Sequence, residues 1–404
     1  MQRKTLIASE FNAKNRAHFA QAYEFCSVVA ECEDADLTAP DVDEYLERRF
    51  GAILPAHDSH NVQRDFNRLT NGLRKGLRLK NAATMQTVDI TENYDLFFFV
   101  GWSPQSLVEL SRLKNWRGRC KIAVAYLFEL WSTTLESDRA YLKMLDQFDH
   151  VFLLHSKSIP QLPTYTSTPC SALPTGIDCL VATPYPSPPE RAVDVYSIGN
   201  RSDPVHQALL ELTRKRDFFY IYDSLASTDS RVKSWADHRA LLANTIKRSR
   251  YFIGFNPMSL TSPKAGKISG EHVLPGRLFE GAAGGAIILG TAPQCPEFND
   301  CFDWDGAVVE VSPDGSDIVA VIEELDAQYD WTERLRETNA TRCLMKHDWV
   351  YRWEHILAKI GLDPLPRLQQ RKSRLAEIAA AAIGKVPTEL PATGVLRNSK
   401  CSLP

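Results

Sequence analysis

From residue 94 onward the chain alternates short, unbroken apolar runs with amphipathic stretches of helical period. Residues 94–100 (YDLFFFV), 121–128 (KIAVAYLF) and 148–154 (FDHVFLL) carry apolar side chains on both faces rather than on one. Such strands, separated by helices, predict a parallel sheet covered on both sides. Upstream, residues 4–9 (KTLIAS) give a weak first strand, 16–25 a helix and 27–30 (SVVA) a second short strand. The pattern then repeats: strands over 193–198, 218–222, 251–255, 286–290 and 308–311, with helices over 205–212, 238–247 and 318–325. A proline-rich segment, Thr183-Pro184-Tyr185-Pro186-Ser187-Pro188-Pro189, lies between the two sets. It is stiff and cannot be helical, so it marks a boundary. Residues 331–360 read as one helix ended by Gly361, and 366–384 as an Arg/Ala-rich helix.

The second set turns on Gly276-Arg277-Leu278-Phe279-Glu280-Gly281-Ala282-Ala283-Gly284-Gly285 and the apolar run after it. Leu278, Ala282 and Ala283 fall at helical spacing, and paired glycines stop the helix before a core strand. The start of such a helix offers free N–H groups and partial positive charge to an anion. Arg277 adds a full charge there, and Glu280, one turn in, can accept hydrogen bonds from a ribose. A helix whose small residues only allow close packing explains the same pattern.

In a parallel sheet, ligands bind beyond the carboxyl ends of the strands. Gly101, Glu129 and His155 sit at those ends in the first set. The 258–275 segment is rich in Ser, Thr, Lys, Gly and Pro, and reads as a flap carrying Lys264, Lys267 and His272. Three D-x-D triplets, at 34–36, 41–43 and 303–305, could hold a divalent metal. In a chain with 50 acidic residues they also arise by chance.

Composition narrows the class. With 404 residues the chain can bury two cores without staples, and a net charge of −3 gives no drive toward nucleic acid. Nine cysteines without a C-x-x-C pair read as reduced thiols in a cytoplasmic protein. The opening residues lack an apolar leader core, and no run approaches a membrane span. Residues 62–80 form a basic amphipathic helix, a candidate for peripheral contact with anionic lipid or simply a solvated face.

The 276–290 stretch resembles the donor signature of GT-B glycosyltransferases, G-x-x-x-E-A-x-A-x-G followed by an apolar strand. Within that fold it is most similar to the spore-maturation-protein-like enzymes, where R-x-F-E precedes a small-residue helix. Pro174-Thr175-Gly176-Ile177-Asp178 resembles the segment that closes the first domain of such enzymes. Gly199-Asn200-Arg201 resembles their G-x-R turn, and His347 to Arg352 their H-x-x-x-x-R segment. Where many retaining members carry a further glutamate eight residues before the signature one, this chain has His272, with Glu271 beside it.

The resemblance implies an α/β protein of GT-B type, with two Rossmann-like domains whose parallel sheets face across a cleft. The expected domains are an acceptor domain over 1–182, a linker over 183–192 and a donor domain over 193–345. Helices over 346–384 and a disordered tail over 385–404 would complete the chain. The expected donor site is Gly199, Arg201, Asn256, Lys264, Lys267, Gly276, Arg277, Glu280 and Gly284. Glu129, His155 and His272 are the catalytic candidates. No metal or cofactor is expected; a nucleotide-diphosphate sugar is the substrate, and the acceptor is a glycan, lipid or small molecule. The rivals are a non-catalytic sugar-nucleotide-binding scaffold and a GT-B-shaped epimerase or hydrolase.

Overall fold

A computed structural model of the chain describes residues 3–14, 16–33, 35–39, 87–199, 201–223, 232–255 and 271–383. The expected basic helix at 62–80, the triplet at 41–43 and the 385–404 tail lie outside the described residues. The first sheet comprises β1 (Thr5–Ser9), β2 (Asp36–Thr38), β3 (Tyr94–Gly101), β4 (Cys120–Leu127), β5 (His150–Leu153) and β6 (Cys170–Ala172). All pairs are parallel, in the order β2-β1-β3-β4-β5-β6. The second sheet comprises β7 (Val193–Ser197), β8 (Tyr220–Tyr222), β9 (Ser249–Gly254), β10 (Ile287–Gly290) and β11 (Val309–Glu310). It too is parallel, ordered β8-β7-β9-β10-β11.

Double-sided burial follows from the sequence pattern. Along β3, Leu96, Phe98 and Val100 join one core while Phe97 and Phe99 join the other. The first of these cores continues without a break into the second unit. It runs from Phe25, Phe98 and Tyr126 through Trp349 and Trp353 to Leu278, Phe279 and Ile288. Phe25 stacks on Trp349, ring centroids 4.4 Å apart.

Helices supply that continuity. The ones that matter are α1 (Ala20–Glu33), α2 (Asp203–Lys215), α3 (Trp235–Lys247), α4 (Gly276–Ala283), α5 (Ile318–Ala327), α6 (Tyr329–Lys346), α7 (Trp349–Lys359) and α8 (Pro366–Ile383). α7 and α8 return to pack on α1 of the first unit, and α8 also lies against α6. Arg371 on α8 fixes this return by donating to Asp348 (2.8 and 2.9 Å) and Asp178 (2.6 Å). Among the described residues no helix is long and apolar enough to cross a membrane.

Two expectations need correction. The expected strand at 27–30 is the middle of α1, where Cys26, Val28 and Val29 are buried in the first core. Packing overrides the β-branched preference there. The true second strand is the acidic stretch after it, where Asp36 accepts a hydrogen bond from the Tyr94 hydroxyl at 2.9 Å. The single helix expected at 331–360 is two, because Asp348 caps a new start by accepting from the Val350 N–H at 2.9 Å.

Candidate active site

In both sheets the first and third strands are neighbours, and the chain departs to opposite sides from them. In open α/β sheets that switch point is where a crevice forms. In the second sheet it lies between β7 and β9. The turn after β7 carries Gly199 at φ 72°, a left-handed backbone that suits glycine. Its N–H donates to Asp223 Oδ2 at 3.0 Å, just past β8. Arg201 donates from Nη2 to the Asp223 carbonyl, and its guanidinium lies 5.2 Å from the Tyr222 ring centre. Its Nη1 is buried with no hydrogen-bond partner among the described residues.

The start of α4 lies over the same turn. A methyl group built on Gly199 would come to 3.0 Å from Arg277 Nη2, so a larger residue would press on that guanidinium. Burial lowers the Arg277 pKa, opposed by Glu280 and Asp223 nearby. A side chain at Gly276 would collide with Gln21 of α1, so the first unit reaches the helix start directly. Gly199, Arg201, Gly276, Arg277 and Glu280 are thus brought together. Gly284 is not: it stands at the far end of α4, packed on Ile246, with its carbonyl accepting from Arg191 Nη2 at 3.1 Å. Asn256, Lys264 and Lys267 lie outside the described residues.

Glu280 does not stand alone. Arg239 Nη1 on α3 donates to its Oε1 at 2.7 Å, and Arg239 Nε donates to Glu24 Oε1 on α1 at 2.7 Å. Trp349 Nε1 donates to the other Glu24 oxygen at 3.3 Å. Burial works against the Arg239 charge, but the two carboxylates prevail and raise its pKa. Sequence spacing had no means of finding this chain, whose members come from four separate helices.

Between the two units lies a cavity of about 290 Å³. It is lined by 154–157 after β5, by 271–274 before α4 and by 294–297 after β10. His155 and His272 both line it; Glu129, at the end of β4, does not. His155 is buried against Trp131, ring centroids 4.1 Å apart, and its Nδ1 has no hydrogen-bond partner among the described residues. Desolvation outweighs a backbone hydrogen bond at Leu130 and pulls its pKa down to about 4, so the ring is neutral at pH 7. His272 Nδ1 accepts from the Gln294 N–H at 3.2 Å.

Sequence reasoning passed over Glu271, which is only 1% exposed. Its Oε1 accepts from the Ser132 N–H at 3.0 Å and from the Ser132 hydroxyl, across the cleft on the first unit. Its Oε2 is buried without a partner among the described residues. The only advance signal was its place next to His272. The D-x-D at 303–305 is committed elsewhere: Asp303 pairs with Lys346 at 2.8 Å and Arg342 at 3.6 Å.

The motifs quoted from the resemblance close on one another. Arg352 Nε donates to the carbonyls of Pro174 (3.1 Å) and Thr175 (3.0 Å), and its Nη2 meets His347 Nδ1 at 3.1 Å. They hold the units together rather than touching the crevice.

Residues 208–358 match the protein family described as glycosyl transferase-like. A comparison with curated proteins finds no match. Among solved structures, the chain is similar to a UDP-forming alpha,alpha-trehalose-phosphate synthase from Burkholderia vietnamiensis. The identity is 10%, covering 89% of this chain and 99% of that one, with a TM-score of 0.49. It is also similar to an alpha-glucosyltransferase in complex with UDP and DNA, at 12% identity, 89% and 100% coverage and a TM-score of 0.44. TarM is matched at 9% identity and a TM-score of 0.40, over 65% of this chain; the chain spans 54% of the length of TarM.

Proposed function

We propose that this protein is a GT-B glycosyltransferase of the spore-maturation-protein-like kind, moving a sugar from a nucleotide-activated donor to an acceptor without a metal ion. The observation that carries this reading is the convergence at the β7/β9 switch point. The start of α4, the Gly199 turn and two arginines meet there, and α4 with Arg277 lies in the segment, 208–358, that matches a glycosyl transferase-like family. Arg277 and Arg201 take the diphosphate, and Nη1 of Arg201, which has no partner among the described residues, supplies a donor for it. Glu280 keeps one oxygen on Arg239 and offers the other to a ribose hydroxyl. As the bond between sugar and diphosphate breaks, negative charge grows on the leaving group, and fixed cations and N–H groups stabilise it without reorganising. The first unit holds the acceptor across the cleft.

The test is to incubate the protein with a panel of nucleotide sugars, with and without candidate acceptors, and to follow nucleotide diphosphate release and the sugar product together. Transfer that persists in EDTA supports the reading. Donor consumption without an acceptor product makes the protein a hydrolase or epimerase. Binding with no turnover makes it a scaffold. Loss of activity in EDTA with recovery in manganese removes the metal-free part.

A further inference from the structure

The cavity between the units holds two buried polar atoms with no partner among the described residues, Glu271 Oε2 and His155 Nδ1. They belong to different units, so neither is an accident of one local turn. An ionised carboxylate oxygen only accepts, and leaving it buried and unpaired is unfavourable. A donor entering the cavity would satisfy Glu271. A hydroxyl answers both atoms at once, because O–H donates to the carboxylate and can donate to or accept from either tautomer of a neutral imidazole.

The rest of the lining fixes the class. Leu154, Val273, Leu274 and Pro296 give apolar wall for the C–H face of a ring. Glu297 adds a second carboxylate, and Lys157, which is exposed, is the one lysine among the described lining residues. A phosphate or carboxylate here would face Glu271 in a desolvated site, where like charges repel strongly. The volume is at the lower end of ligand pockets, which run to about 300–1,000 Å³, and suits a single ring. We infer that this cavity is a subsite for one neutral, hydroxyl-bearing sugar ring, gripped by Glu271 and His155, and that it selects against phosphorylated or carboxylated sugars. The inference rests on the glycosyltransferase reading. The ring comes either from the donor or from the acceptor.

Histidine labelled with ¹³C in the full chain gives a ring signal for His155, assigned by its loss in His155→Gln. The probes are glucose, galactose and N-acetylglucosamine against glucose 6-phosphate and glucuronate, each with and without UDP, and UDP-glucose against UDP-glucuronate. Neutral probes should move the His155 signal at concentrations at least tenfold below their ionised counterparts. Glu271→Gln should shrink that preference several-fold, because the amide no longer repels an anion. Movement by UDP-glucose alone assigns the ring to the donor; movement by a free sugar assigns it to the acceptor. Ionised sugars acting as well as neutral ones would overturn the inference. So would a His155 signal that ignores every neutral probe while UDP raises the Tm. If no nucleotide raises the Tm, the glycosyltransferase reading fails, and the free-sugar arms still decide the cavity.

Discussion

Single side chains in this protein are held in states that depend on their surroundings, and those states can be read out. His347 donates from Nε2 to the Cys301 carbonyl at 2.7 Å while Nδ1 meets an Arg352 N–H at 3.1 Å. A neutral ring satisfies both contacts and a protonated one does not. Burial first, then Arg352, brings its pKa down to about 3. The unfolded chain, with histidine near 6.5, takes up the proton first as pH falls. Stability is therefore complete above about pH 6.5 and declines below it, by at most roughly 1.4 kcal/mol per pH unit. Urea midpoints at pH 7 and pH 5 should differ more in the wild type than in His347→Gln. Equal differences would show that His347 is not the group that titrates. For the donor site, Glu280→Gln should weaken nucleotide-sugar affinity roughly tenfold or more, the loss of a charge-assisted hydrogen bond being worth about 1.5–3 kcal/mol. Calorimetry would show it, and unchanged affinity in a folded variant would remove Glu280 from the site. Arg201→Ala should lower turnover more than Arg201→Lys, since lysine keeps a charge near Asp223 but not the planar donor fork. Steady-state rates for both variants would decide it.

Among the elements, α8 shows how strongly a peripheral helix can be committed. Arg371→Met would leave Asp348 and Asp178 facing each other without their cation, and Asp348 is fully buried. Removing one partner of such a cluster typically costs about 3–5 kcal/mol. Denaturant unfolding should register a loss of that order, and a loss under about 1 kcal/mol would mean that solvent reaches the aspartates. This helix also marks where the sequence stopped being informative. Apolar runs such as YDLFFFV announced β3 because a strand buried on both faces needs nothing but apolar residues. The purpose of 366–383 depended on Asp348 and Asp178, residues far away in the chain. The same holds for the break at 347–348, where neither proline nor glycine signals a stop, and for α1, whose Val28-Val29 pair reads as strand by local preference.

At the scale of the whole molecule, the turn at Gly199 and the helix start at Gly276 were legible because glycine patterns and helix ends have local signatures. The cavity was not, since Glu271, Ser132 and His155 meet only when the two units close on each other. The buried chain Glu24–Arg239–Glu280 spans the same junction. Its ends lie in different units: Glu24 on a helix of the first, Glu280 in the proposed ribose site of the second. A ligand that draws charge toward Glu280 must change how firmly Arg239 holds Glu24. By thermodynamic reciprocity, whatever alters Glu24 must change the affinity for that ligand by the same factor. Glu24→Gln, a substitution that touches no nucleotide, should therefore shift donor affinity measurably by calorimetry while Asp149→Asn, an exposed carboxylate of the same unit, should not. The two halves of this protein would then be one binding unit in the thermodynamic sense, with a single arginine as the currency between them.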